Sequence, residues 1–283
     1  MQRSVLVLTA AAGVPDAAVA AAAARLPRPE TPLRLAGTAV EVAFSGPAPV
    51  VAMPGIDANV VPAEGRRRRL LIADMDSTII DVECIDELAD YAGVKPQVAA
   101  ITEAAMRGEL DFEGALIARV ALLAGLPESV LQRCYDERVH LNPGARVLVR
   151  TMAALGAGTM LVSGGFTFFS SRVAEAAGFA RNRANRLLAA GGRLTGEVAL
   201  PILGREAKRI ALLAAAAELG IDPEAAVAIG DGANDLDMVR TAGLGVAWRA
   251  KPALAAAAGA RLDHSDLTAV LALQGIPETE WQK

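Results

Sequence analysis

Three short, largely apolar runs, Leu70–Ala73, Gly158–Val162 and Ala225–Ile229, each stop abruptly at a cluster of small, polar or acidic residues. Their residues do not alternate between apolar and polar, so neither face of such a strand suits water. Strands of this kind, separated by helices, belong in a parallel sheet covered on both sides. The stretches between and after them, Ala145–Leu155, Phe166–Ala177, Arg205–Leu219 and Asp235–Thr241, carry helical spacing, and Gly243–Val246 adds another short strand. The alternation predicts an α/β fold with a mainly parallel sheet, in which ligand sites lie beyond the carboxyl ends of the strands.

After the first of these strands the pattern changes. Cys84–Tyr91, Lys95–Met106, Phe112–Leu123 and Pro127–Tyr135 all read as helices, separated by Gly and Pro, with no strong strand among them. A helical block placed there reads as a cap inserted over the strand ends, spanning about residues 84–140. Upstream, Ser4–Thr9 and Thr38–Phe44 are strand candidates, Asp16–Leu26 is an Ala-rich helix candidate, and Val50–Pro62 reads as turns or a short irregular piece. Residues 1–65 are expected to form a small α/β domain, marginal alone and docked on a second domain over 66–283. The run Arg66–Arg69 between them is read as a solvated edge leading into a strand. Arg186–Leu188 and Leu194–Glu197, around Gly191-Gly192, suggest a hairpin, and the tail reads as Ala-rich helix and loop.

Composition narrows the chemistry. With 53% hydrophobic and 21% charged residues in 283, the chain as a whole is not expected to be disordered. A net charge of -4 gives no whole-chain basis for nucleic-acid binding, and no segment reads as membrane-spanning. Two distant cysteines, Cys84 and Cys134, suit buried thiols in a reducing compartment. Two histidines exclude a histidine-rich metal site but leave oxygen ligands for a hard cation.

Those oxygen ligands gather at the strand ends: Asp74 and Asp76 after one strand, Asp231 and Asp235 after another. Carboxylates meeting in one crevice repel unless a cation or shared proton compensates, and Mg²⁺ is the natural candidate. Ser163, the amides of Gly164 and Gly165, and Lys208 are candidate donors for a phosphate. The set permits one aspartate to attack phosphorus while a second carboxylic acid protonates the leaving alkoxide. Taken singly, most of these residues have plainer readings: turn aspartates, a surface lysine, exposed helix charges at Glu83 and Arg119, and cap core at Met106 and Phe112.

Together they resemble a known family. Asp74–Thr78 (DMDST), Ser163–Gly165 (SGG), Lys208 and Gly230–Asp235 (GDGAND) match in order and spacing the four motifs of haloacid-dehalogenase-like phosphatases. Glu83, the cap segment 101–126, ANRL at 184–187 and LTGEV at 194–198 make the chain similar, over roughly 68–273, to the phosphoserine phosphatases of bacterial serine biosynthesis. The resemblance implies a Rossmann-like core with a helical cap. It also implies Mg²⁺-dependent hydrolysis of O-phospho-L-serine through a phospho-aspartate, as the last step of serine biosynthesis. Asp74 would be the nucleophile and a metal ligand. Asp76 would be the general acid and base, with its carbonyl on the metal, and Asp231 a direct ligand. Asp235 would orient groups around the metal. Ser163, Gly164, Lys208 and Asn234 would hold the phosphoryl group, Glu83 the ammonium and Arg119 the carboxylate, with Met106 and Phe112 covering the substrate. By the same resemblance the protein is expected in the cytoplasm, with a small-molecule substrate, no nucleic acid and no membrane. A homodimer, and an N-terminal region that is a divergent amino-acid-binding domain, are compatible with it. Phosphothreonine, phosphotransferase chemistry and a binding protein without turnover remain alternatives.

Overall fold

The computed structural model describes residues 3–106 and 109–283, apart from the side chain of Met106. Its centre is a six-stranded parallel sheet in the order β12-β11-β10-β5-β6-β7. The strands are β5 (Leu70–Ala73), β6 (Gly158–Phe166), β7 (Arg181–Asn185), β10 (Ala226–Gly230), β11 (Leu244–Trp248) and β12 (Ala260–Leu262). Every residue of β5 is at most 1% exposed, as its unbroken apolar run requires. Burying a Leu or Ile in this way stabilises by about 1.5–3 kcal/mol each. On one face lies α8 (Arg205–Glu218), whose Ala211, Leu212, Ala215 and Ala216 pack with Leu70, Ile72, Met160 and Ala228. On the other lie α6 (Ala145–Ala154) and α7 (Thr167–Ala177), whose Leu148, Val149, Phe169 and Val173 join Leu71, Ala73 and Leu161. Small alanines let α8 approach closely, as the low aromatic content requires.

The predicted cap is present as α2 (Cys84–Tyr91), α3 (Lys95–Met106), α4 (Phe112–Ala121) and α5 (Ser129–Arg138). Its entry and exit run side by side: Ile80 pairs with Leu141, and the Asp81 amide donates to the His140 carbonyl at 3.2 Å. Asn142 closes this seam. Its backbone N–H donates to Ile79 O at 2.8 Å, and its side-chain amide donates to Thr78 O at 2.8 Å and Ile80 O at 3.0 Å. The expected hairpin exists as β8 (Leu187–Ala190) and β9 (Arg193–Val198), and it fastens to the turn between α4 and α5 through backbone bonds of Leu194 with Gly125 and Leu126.

The N-terminal residues form an antiparallel sheet, β2-β3-β1-β4, with one helix, α1 (Asp16–Ala23). Strands β1 (Arg3–Thr9) and β3 (Ala39–Ser45) answer to the expected ones. β2 (Leu33–Ala36) and β4 (Asp57–Pro62) do not, and β4 lies where turns were expected. The turn-prone Asp57 and Asn59 are held in a strand by the larger unit. Asp57 accepts from the amides of Asp263, His264 and Ser265 and from Ser265 Oγ; Asn59 pairs with both backbone groups of Arg261. Tertiary partners thus override local preference. One face of this sheet, through Val5, Val7, Ala39 and Val61, shares the main core with α11 (Ala269–Leu273).

The arginine run is less solvated than expected. Arg66 is nearly buried and caps the end of α11, donating to Leu273 O at 3.1 Å and Ala272 O at 3.0 Å while pairing with Glu41 at 2.7 Å. Arg68 donates to Glu224 O and Gly243 O. Arg67 stays at the surface, paired with Glu280. Both cysteines are free and buried. Among the described residues no helix is long and apolar enough to cross a membrane.

Candidate active site

Neighbouring strands β10, β5 and β6 end side by side, so Asp231, Asp74 and Ser163 emerge together. β5 terminates in a tight turn over Met75–Ile79, in which Ser77 adopts a left-handed backbone, φ 54°. Such a conformation is uncommon for a residue with a side chain and persists where surrounding contacts fix it. Here the contacts are the Asn142 bonds to the carbonyls just downstream and a 2.7 Å bond from Ser77 Oγ to Glu83 Oε1.

Asp74 is 4% exposed. Its Oδ1 accepts from the Met75 amide and from Lys208 Nζ, both at 2.8 Å, leaving Oδ2 without a protein partner among the described residues. Lys208 is 1% exposed, a rare state for lysine, and its second partner is Asp235 at 2.7 Å. Burial alone would lower the pKa of this ammonium; Asp235 and Asp74 more than reverse that and hold it above the ordinary lysine range. Asp235 Oδ2 also accepts from the Gly232 amide at 3.1 Å. Burial, then the charge of Asp235, push the Asp74 carboxyl well up, against Lys208. The same two causes raise Asp231.

Asp76 stands slightly apart. Its Oδ1 accepts from the Cys84 amide at 2.9 Å and its Oδ2 from Ser163 Oγ at 3.1 Å, while Ser163 Oγ accepts from the Gly165 amide at 2.8 Å. Burial raises its pKa, with these donors opposing. A carboxyl whose pKa is raised suits proton donation better than an ordinary aspartate. Gly165 is obligatory here: a Cβ would lie 2.6 Å from Asp76 Oδ2. A Cβ on Gly230 would lie 2.4 Å from Asp235 Cγ.

One group of described carboxylates could share a cation: Asp74, Asp231 and Asp235, with oxygens within 4.8 Å of one another. The donors are buried carboxylate oxygens without thiol or imidazole, a set that fits a hard divalent ion. Lys208 already engages Asp74 and Asp235 by one oxygen each, so Asp231 and the second oxygen of Asp74 are the freest donors.

The cap reaches this cluster. Glu83, at the start of α2, is pushed up to about 7 by burial and then by the Asp76 charge. Arg119 on α4 is half-buried, its Nε donating to Ala115 O at 3.2 Å. Burial lowers its pKa, opposed by Asp86, Glu83 and Asp76. Phe112 lies against the last residues of β6 and the residue before α8: a Cβ on Gly164 would meet its ring at 2.9 Å and one on Gly204 at 3.3 Å. Asn234 is half-buried on the turn before α9 (Leu236–Thr241), beside Gly232. The Met106 side chain falls outside the described residues. His140 is exposed at the cap seam, 3.6 Å from Asp81.

Sequence reasoning missed several contributors. Asn185, 3% exposed, donates to Gly164 O at 2.8 Å and brackets Leu203 through its N–H and carbonyl, tying the glycine loop to the segment before α8. Thr78 Oγ1 reaches Asp231 at 3.4 Å. Lys251 Nζ lies 3.6 Å from Asp231 Oδ2. Asn185 and Thr78 lie within the ANRL and DMDST stretches, though neither had a role assigned to it; nothing local marked Lys251.

Residues 71–240 match the haloacid dehalogenase-like hydrolase family. A phosphoserine phosphatase of Albidiferax ferrireducens is 48% identical over 72% of this chain and 89% of its own length. One from Streptomyces coelicolor is 47% identical over 86% of this chain, which spans only 62% of that protein. The solved structure of a probable phosphoserine phosphatase from Vibrio cholerae superposes with a TM-score of 0.80 at 31% identity, covering 98% of this chain and 88% of that one. The chain belongs to the haloacid dehalogenase-like hydrolases and, within them, to the phosphoserine phosphatases.

Proposed function

We propose that this protein hydrolyses O-phospho-L-serine to L-serine and phosphate, with Asp74 as nucleophile, and so completes serine biosynthesis. The observation that carries the reading is the placement of a lysine-held Asp74 beside a separately held Asp76 whose carboxyl burial pushes upward, under a cap that presents Glu83 and Arg119. Asp74 Oδ2 attacks phosphorus as the bond to the serine oxygen breaks, and Asp76 gives that oxygen its proton. Asp76 then takes a proton from water, whose oxygen attacks the phospho-aspartate and frees Asp74. Lys208 neutralises charge on the phosphoryl oxygens and fixes the nucleophile, while Ser163, the Gly164 amide and Asn234 donate to the remaining oxygens. Asp74, Asp231 and the Asp76 carbonyl would hold one Mg²⁺, which when bound supplies charge neutralisation to the phosphoryl group; Asp235 orients groups around it.

The substrate's amino-acid end meets opposite charges: Glu83 takes the ammonium and Arg119 the carboxylate, in planar bidentate fashion. Met106 and Phe112 exclude water above the ester. Residues 66–283 constitute the phosphatase unit, with its cap over about 84–140, and residues 1–65 a docked unit with no part in the chemistry. The test is phosphate release from phosphoserine with and without Mg²⁺, beside O-phospho-L-threonine and an aryl phosphate. Mg²⁺-dependent preference for phosphoserine, abolished by Asp74→Asn, is expected. Tight binding without release would instead mark a binding protein. Arg119→Ala should cost phosphoserine turnover at least about tenfold more than aryl phosphate turnover; equal losses would remove the carboxylate clamp.

A further inference from the structure

Lys208 is buried in the site and already shared between Asp74 and Asp235. A second cation stands at its rim. β11 runs beside β10, and the turn after it, with Arg249 at φ 42°, brings the Lys251 amide back to donate to the Asp231 carbonyl at 2.8 Å. Pro252 then opens α10 (Pro252–Ala255) and fixes the direction of the chain. The lysine backbone is thereby bolted to the loop that carries Asp231. Its side chain is not: it is 62% exposed, and its Nζ stands 3.6 Å from Asp231 Oδ2, beyond a hydrogen bond. Its charge also acts on Glu83, at the start of α2, on the cap side of the site. Arg249, its basic neighbour, is instead laid over the Trp248 ring at 4.7 Å.

A solvated pair of this length is weak, and an ammonium on a four-carbon stem leaves it at little cost. We propose that Lys251 is a displaceable counter-charge: it screens Asp231 while the cation site is empty, is repelled when a divalent ion takes Asp231, and then meets the incoming phosphate. This rests on the phosphatase reading above. Lys251 and the metal therefore oppose each other for Asp231, whereas Lys251 and phosphate assist each other. One substitution should move the two affinities in opposite directions, which a purely structural surface lysine would not do.

The experiment compares the full-length protein with Lys251→Met and Lys251→Arg. Mg²⁺ binding is read by calorimetry without substrate, and inorganic phosphate is read as a product inhibitor at saturating Mg²⁺ with any ester the unaltered protein cleaves. Lys251→Met should bind Mg²⁺ about three- to tenfold more tightly and phosphate more weakly by a similar factor; Lys251→Arg should stay near the parent on both. Mg²⁺ affinity within twofold of the parent in Lys251→Met, or both affinities falling together, overturns the proposal. Failure of the phosphoserine reading would show separately, as an unaltered protein that releases no phosphate from phosphoserine.

Discussion

Glu83 gives the sharpest physical test because its two properties pull in opposite directions. Its carboxyl titrates at about 7 in the folded, metal-free protein and near 4.5 when unfolded. Below 4.5 both states hold the proton and folding is not penalised. As pH rises from 4.5 to about 7, the unfolded chain ionises first, so stability falls; above 7 the loss is complete. The gap corresponds to about 3 kcal/mol, and partial solvent access brings it nearer to about 2 kcal/mol. Glu83→Gln keeps an oxygen to accept the Ser77 hydroxyl and remains neutral throughout. In chelator at pH 5, where about a quarter of the penalty has already set in, the variant should melt only roughly 1 °C higher; at pH 8 it should melt roughly 5 °C higher. Asp74 is not among the charges that act on Glu83 and contributes alike to both proteins, whereas relief of the repulsion from Asp76 and Asp231 is part of the gain expected in the variant. The same variant should lose phosphoserine affinity while an ester without an ammonium is unaffected. A melting difference that stays constant between pH 5 and 8 would refute the buried-carboxylate argument, whatever the activity does.

Gly164→Ala should cut kcat/KM at least about tenfold, because its Cβ would meet the Phe112 ring at 2.9 Å and hold the cap off the site; adding Phe112→Ala should restore part of the loss if contact is the cause. Asp57→Ala strands the amides of Asp263, His264 and Ser265 and should cost about 2–4 kcal/mol in urea unfolding; a change below about 0.5 kcal/mol would show the two sheets to be independent.

The unbroken apolar runs ending in Asp74, Ser163 and Asp231 made the sheet legible, because a strand buried on both faces must be apolar on both. The cap was equally legible, since an amphipathic helix writes its period locally. The strands that escaped, β2, β4, β7 and β12, are short or at sheet edges, and carry residues whose local preference is for turns or helices. Asp57 and Asn59 took a strand only because backbone groups more than 200 residues away accept and donate to them. The partial burial of Arg66 and Arg68 was hidden for the same reason: carbonyls at the end of α11 and before β10 and β11 are what they satisfy.

By itself, then, the sequence determined which polar and acidic residues follow the apolar strands and the order of elements that gathers them, since motif spacing and apolar period are properties of neighbours in the chain. Tertiary structure decided what those residues are chemically. The pairing of Lys208 with Asp74 and Asp235, the raised carboxyl of Glu83, the bracing of the Met75–Ile79 turn by Asn142 and the loose placement of Lys251 all depend on distances between remote segments and on exclusion of water. Charge interactions are set by separation and local dielectric, and neither is written in the order of residues.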